Sequence, residues 1–265
     1  ANVFSRSAAD ELLSSHGLRT PFLRMAKDGE VIPTSRFTGP GGAGAMVADQ
    51  IHDEAVLGLF SDGATVVLQG LHRTWQPVSA LAAGLAADLG HPVQVNSYIT
   101  PPQSQGFAPH YDTHDVFVLQ IEGRKHWRIH EPVLAQPLPD EPWDTVADQV
   151  AQRAAEPPVL DVTLQPGDCL YLPRGFLHAA TALGETSIHL TFGIHTTTER
   201  DVVRALADKL ADASWRASMP VGWEPSEDSL TALRDRAVAA LAALDLSAVA
   251  TQLDADRARK QRPEA

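Results

Sequence analysis

A single cysteine, Cys169, stands in 265 residues, which excludes an internal disulfide and any cysteine-rich zinc site. Basic residues are outnumbered, 21 Lys and Arg against 33 Asp and Glu, for a net charge of −12. Nucleic acid and anionic lipid carry that same sign, so the balance argues against direct nucleic-acid binding and suits a basic partner better. No apolar run approaches the roughly 20 residues needed to cross a bilayer, so no membrane span is expected. The N-terminus lacks the basic, apolar and small-residue order of a secretory signal, and the expected location is cytoplasmic. No repeat recurs at solenoid or propeller periods. What is present is the composition of a globular protein with a sizeable core, 44% hydrophobic and 20% charged.

Residues 7–17, 45–59 and 78–89 carry apolar side chains at helical spacing, with the short apolar strand Thr65-Val66-Val67-Leu68 between the last two. The run Gly39-Pro40-Gly41-Gly42-Ala43-Gly44 matches G-x-G-x-x-G, but no apolar strand precedes it and no βα alternation follows, so it reads as a loop. Between 93 and 197 the chain becomes a succession of short β-rich runs, 93–99, 116–121, 126–129, 159–164, 169–172 and 187–195, separated by turns such as Gln165-Pro166-Gly167-Asp168. Such spacing predicts an antiparallel sandwich or barrel. The acidic, proline-punctuated insert 132–158 is expected to cross outside it. Helices are expected over 199–216 and 227–253, and a frayed end over 254–265. The expected division is an N-terminal segment, 1–92, packing on a β core, 93–197. A helical region, 198–265, follows and suits either a homodimer interface or a cover over that core.

The chemistry concentrates in Ala108-Pro109-His110-Tyr111-Asp112-Thr113-His114-Asp115. On an extended chain His110 and Asp112 share a face, about 7 Å apart, and His178, just after the turn Pro173-Arg174-Gly175, offers a third donor. Two imidazoles and one carboxylate on one face of an octahedral ion leave three positions open, the arrangement of non-haem Fe(II) oxygenases. An alternative set pairs Asp112 with His114 and leaves His110 structural. His189 and His195, on an apolar strand, read as hydrogen-bonded core histidines and stand in reserve as ligands.

The order of blocks is more specific than any one of them. Asn-Ser-Tyr-Ile-Thr-Pro-Pro-Gln-Ser-Gln-Gly-Phe-Ala-Pro-His-Tyr-Asp over 96–112 is followed by Val-Leu-Gln-Ile-Glu-Gly-Arg-Lys-His-Trp-Arg-Ile over 118–129. Asp-Cys-Leu-Tyr-Leu-Pro-Arg-Gly-Phe-Leu-His over 168–178 and Ser-Ile-His-Leu-Thr over 187–191 come after them. Across 93–195 this resembles the JmjC-type ribosomal oxygenases, or cupin-like proteins. The resemblance implies a mainly β protein with flanking helices, a double-stranded β-helix (jelly-roll) barrel plus a C-terminal helical region. It also implies Fe(II) as cofactor, with 2-oxoglutarate and O₂ as cosubstrates.

Carried over by that resemblance, the metal ligands and catalytic centre fall on His110, Asp112 and His178. The basic residue for the far carboxylate of 2-oxoglutarate falls on Lys125, with cosubstrate-binding support from Asn96 and Tyr98. Physically, a buried carboxylate needs a cation, and strand alternation lets Lys125 face inward if Arg124 faces out. Two departures stand out. Gly193 occupies a place where several relatives carry a hydroxyl, and the residues after Leu253 are too few for the winged-helix-like domain of characterised relatives. The implied activity is hydroxylation of a protein or peptide side chain, a ribosomal-protein arginine or histidine. The alternatives are a free amino acid or small peptide metabolite as substrate, and, in another class, a non-catalytic cupin-like binding module.

Overall fold

A glycine and a glutamine at the middle of one long strand decide how this chain closes on itself. The computed structural model describes residues 3–42, 44, 46–210 and 214–260. In chain order the helices are α1 (Arg6–Ser15), α2 (Asp53–Ser61), α3 (Leu71–Thr74), α4 (Gln76–Leu89), α5 (Ala147–Ala154), α6 (Glu199–Ala207), α7 (Glu227–Ala242) and α8 (Leu246–Lys260). The strands are β1 (Leu23–Lys27), β2 (Glu30–Val31), β3 (Thr38–Gly39), β4 (Gln50–Ile51), β5 (Thr65–Leu68), β6 (Val93–Thr100), β7 (Asp115–His130), β8 (Leu160–Leu164), β9 (Cys169–Leu172) and β10 (Leu177–Ile194). The described residues divide into two compact units, one ending at His195 and one starting at Thr196.

In the first unit the eight-stranded sheet runs β2-β1-β5-β6-β10-β7-β8, with β9 on β7, and every pairing is antiparallel. β7 and β10 are long enough to serve two walls. The first half of β7 pairs with β9 and the last part of β10, while its second half pairs with β8 and the first part of β10. The register shifts between Leu183 and Ile188, opposite Gly123. Runs 116–121 and 126–129, expected as separate strands, are therefore one bent strand, and 187–195 is the end of a strand beginning at Leu177.

The bend has a local cause. Gly123 adopts φ +64°, and a Cβ there would lie 2.2 Å from the Thr186 carbonyl oxygen, so only glycine lets the two strands cross this closely. Buried Gln120 fastens the bend, its Nε2 facing the Glu122 and Gly123 carbonyls and the Ser187 hydroxyl at 2.8, 3.2 and 2.8 Å.

Alternation then assigns the faces. Val93, Val95 and Ile99 of β6 and Ile188, Leu190, Phe192 and Ile194 of β10 join a core that includes Leu12, Met25, Val56, Val78, Ala82 and Ala86 from the N-terminal elements. α1 starts where Ser5 Oγ accepts from the Ala8 amide, and α4 stops at Gly90, φ +71°. These helices cover the outer face and leave the inner one to a cavity.

Three expectations fail locally. Residues 45–59 do not form one helix: Ile51 is buried, its amide bonds the Leu18 carbonyl at 2.8 Å, and β4 pairs with β3 before α2 begins. Tertiary pairing overrides the apolar spacing there. In the second unit α6 ends at Ala207 in tight turns from the Lys209 and Leu210 amides to the Leu206 and Ala207 carbonyls. The stretch 227–253 is broken after Ala242, where Asp245 Oδ1 accepts from the Ser247 amide to start α8, which runs on to Lys260. The glycine-rich run begins inside β3 and the next helix starts only at Asp53, while Ala43 and Ala45 lie outside the described residues. No single helix among the described residues is long and apolar enough to cross a membrane.

Gly123→Ala is expected to destabilise the protein by more than the roughly 1–2 kcal/mol of a left-handed alanine, because backbone must also shift. Gly184, φ +60° with nothing within 4 Å of its Cβ position, supplies the control: Gly184→Ala shows only the conformational part. Urea midpoints of the two variants check this.

Candidate metal and cosubstrate site

Tyr111 orients the segment that precedes β7. It is buried, and its hydroxyl donates to the Glu141 carbonyl at 2.9 Å, so its neighbours His110 and Asp112 turn the other way, into the barrel. These two lie in a loop rather than on a strand. The loop is tied to the start of β10 by a bridge between His110 and His178, with amide-to-carbonyl distances of 3.3 and 2.9 Å, and by the Gly175 amide on the Asp112 carbonyl at 3.0 Å. Backbone pairing thus puts residues 68 positions apart, His110 and His178, side by side.

One ligand atom each from His110, Asp112 and His178 lies within 4.8 Å of the others. Both histidines present Nδ1 to the carbonyl two residues earlier, Ala108 at 2.7 Å and Phe176 at 3.1 Å. That bond makes Nδ1 the donor and leaves Nε2 as the free lone pair. Burial and the neighbouring His110 push His178 down to about 4 against the pull of Asp112, so it is neutral at pH 7. For Asp112, burial pushes the carboxyl up, but His178, His114, His110 and Arg24 together hold it below its usual value. Donors bound at about 2 Å to one ion stand about 3–4 Å apart, and His178 Nε2 is 3.8 Å from Asp112 Oδ2. Two imidazoles and one carboxylate, open on the cavity side, fit a divalent cation.

The cavity beside them has a volume of about 330 Å³. Lys125 lines it, 4% exposed, while Arg124 faces out toward Glu185. Lys125 Nζ donates to Thr100 Oγ1 at 3.0 Å, and burial pushes its pKa down to about 7. An ammonium has three donors, and Lys125 has room for a carboxylate on the rest. Asn96 and Tyr98 line the same cavity. Asn96 Oδ1 is already taken by the Gly70 amide at 3.1 Å. Tyr98 stacks on His189 with centroids 4.9 Å apart, and burial and then Asp112 push its hydroxyl up to about 12, so it stays protonated.

His114 is not among the donors brought together. Its ring stacks on His195 at 5.0 Å and lies 2.8 Å from where a Cβ of Gly193 would stand, so it fills the space a side chain at 193 would need. His195 is exposed and reaches Gln94 Oε1 at 3.3 Å. His189 is buried in the cavity wall beside Trp127, and burial, Lys125 and His178 push it well down. Sequence reasoning missed the lining residues Arg24, Phe107 and Trp143, and also Thr100, the buried hydrogen-bond partner of Lys125. Alternation from Asn96 and Tyr98 points to Thr100; no local signal marks the others. Trp143, in the insert expected to pass outside the barrel, has its ring 6.4 Å from that of His110.

A family model described as "JmjC domain" matches residues 72–202. Residues 72–202 are a JmjC domain. Over 110 residues the chain is 44% identical to the bifunctional lysine-specific demethylase and histidyl-hydroxylase NO66 of Culex quinquefasciatus, covering 38% of this chain and 15% of that protein. It is 45% identical over 122 residues to ribosomal oxygenase 1 of Rattus norvegicus, 46% of this chain and 19% of the other. The chain thus spans less than a fifth of the length of these relatives. Among solved structures, the Escherichia coli ribosomal oxygenase YcfD superposes with TM-score 0.54 at 18% identity, covering 92% of this chain and 60% of that one. Another YcfD structure, in complex with cobalt and 2-oxoglutarate, superposes with TM-score 0.51. The fold is therefore that of the JmjC domain, mainly antiparallel sheet with flanking helices.

The buried ammonium sets a stability signature. A folded pKa of about 7, below the ordinary 10.5, means the folded state resists the charge that the unfolded chain accepts. The penalty is whole below pH 7 and fades as pH rises toward 10.5. Lys125→Met should therefore be more stable than the parent at pH 7, with an advantage that shrinks by about 2 kcal/mol by pH 9. Parallel urea titrations at the two pH values measure it.

Proposed function

We propose that this protein is an Fe(II)- and 2-oxoglutarate-dependent oxygenase that hydroxylates a side chain of a protein or peptide. One observation carries the proposal: three metal donors and a buried, under-used lysine face the same cavity. Fe(II) with 2-oxoglutarate and O₂ supplies, when bound, the oxidising power to hydroxylate an unactivated C–H bond. The protein's own groups do the rest. His110 and His178 offer Nε2 because backbone carbonyls hold Nδ1, and Asp112 adds one negative charge. Lys125, with Thr100 beside it, holds the far carboxylate of the cosubstrate and fixes which end faces the metal. Tyr98 and Asn96, in the same cavity, support the cosubstrate beside Lys125, and Trp127, Val116 and Val118 exclude water from that cavity.

The names of the relatives support a protein substrate, and the net charge of −12 favours a basic one by long-range attraction. A bare binding module is disfavoured physically, since a buried lysine and three convergent donors are destabilising features that binding metal and dicarboxylate would relieve.

Conversion of 2-oxoglutarate to succinate under Fe(II) and air, followed by mass spectrometry, tests the reading. Turnover is expected in the parent and a loss of at least about a thousandfold in His178→Ala. Lys125→Met is expected to raise the KM for 2-oxoglutarate by at least about tenfold. Unchanged turnover in His178→Ala would overturn the ligand assignment. Incubation of host extracts with the enzyme should yield a product heavier by one oxygen.

A further inference from the structure

Arg24 enters the cavity from β1, outside the JmjC domain. β1 meets β5 through Arg24 and Val67, β5 meets β6 through Val67 and Tyr98, and β6 meets β10 through Tyr98 and His189. Opposite residues of antiparallel pairs project to one face, so Arg24 begins a row that ends at His189. Its guanidinium carbon stands 4.9 Å from the centre of the Phe107 ring, its charge acts on the neighbouring Tyr98 hydroxyl, and its Nε is enclosed without a partner. The Phe107 ring holds the guanidinium, which orients its remaining donors toward the cavity that Arg24 lines.

Charge around it is lopsided. Among the described residues lining the cavity, Asp112 is the sole carboxylate, and the proposed function commits it to the metal. Arg24 is always protonated, and Lys125 becomes so when it meets a carboxylate. With Lys125 matched by the cosubstrate, Arg24 remains a cation facing a space in which the protein supplies no free anion. A carboxylate or carbonyl oxygen entering there finds the Arg24 donors waiting; a guanidinium or ammonium finds the like charge of Arg24 and no counter-charge.

We propose that Arg24 selects the substrate, receiving a carboxylate or carbonyl oxygen near the reacting carbon and keeping cationic side chains, arginine and lysine, out of the cavity. This rests on the oxygenase reading above and narrows it to substrates whose reacting side chain is uncharged or anionic. Lys125 serves the cosubstrate, and Arg24 serves the group to be oxidised.

The test uses the full chain loaded with Zn(II), which supports no turnover, and saturated with 2-oxoglutarate. Acetate, acetamide, methylguanidinium and methylammonium are titrated separately and followed by NMR. Acetate and acetamide should bind at least about tenfold more tightly than either cation. Arg24→Met should erase that difference and Arg24→Lys keep part of it, while the affinity of Arg24→Met for 2-oxoglutarate falls by less than about threefold. Absence of a preference in the parent, including absence of any binding, overturns the proposal, as does a preference that survives in Arg24→Met. A fall of about tenfold or more in 2-oxoglutarate affinity assigns Arg24 to the cosubstrate and overturns it too. Should 2-oxoglutarate fail to bind the parent, the oxygenase reading fails; the same titrations on the Zn(II) protein alone then decide Arg24 separately.

Discussion

A charge taken out of water needs a partner, and this protein buries several charges in one place without providing enough of them. Lys125 has a single neutral acceptor, Thr100. His110, Asp112 and His178 bring their ligand atoms within 4.8 Å of one another, and Arg24 keeps an enclosed nitrogen unpaired. Each arrangement costs free energy in the isolated chain. Together they describe, in negative, what completes them: a divalent cation beside the donors and an acidic group beside the lysine.

The fold sustains that cost because its stabilising burial lies elsewhere. The outer face of the sheet packs Met25, Val95 and Leu190 against the N-terminal helices, and the inner face is free to be polar. The bend at Gly123 is what gives β7 and β10 two walls each. Without it, Lys125, beyond the bend, and Val116, before it, would not look into one space. Tyr111 adds the last constraint by anchoring the insert and turning His110 and Asp112 inward from opposite sides of its own position.

Much of this is legible in the sequence, for identifiable reasons. Strands such as Thr65–Leu68 and Cys169–Leu172 are short, apolar and flanked by turn residues, and alternation alone puts Lys125 on the opposite face from Arg124. The unity of β7 is not legible, because Gly123 reads equally well as a turn. Nor is β4, where Ile51 fits helical spacing until its pairing partners are known. Arg24 lies 101 positions from Lys125, on a strand whose neighbours carry no chemical motif. Only the successive pairing of β1, β5, β6 and β10 reveals that it shares their cavity. The break before α8 turns on one residue, Asp245, whose role as a cap shows only against the carbonyls and amides around it.

Proton uptake on ligand binding tests the central claim most directly. Calorimetry of the Mn(II)-loaded protein with 2-oxoglutarate at pH 8, in two buffers of different ionisation enthalpy, counts the protons taken up. With Lys125 at about 7 in the free protein, most molecules carry a neutral amine at that pH, and pairing with a carboxylate restores its charge. Uptake of close to one proton per dicarboxylate bound, absent in Lys125→Met, is the predicted result. Tight binding with no proton taken up would contradict it.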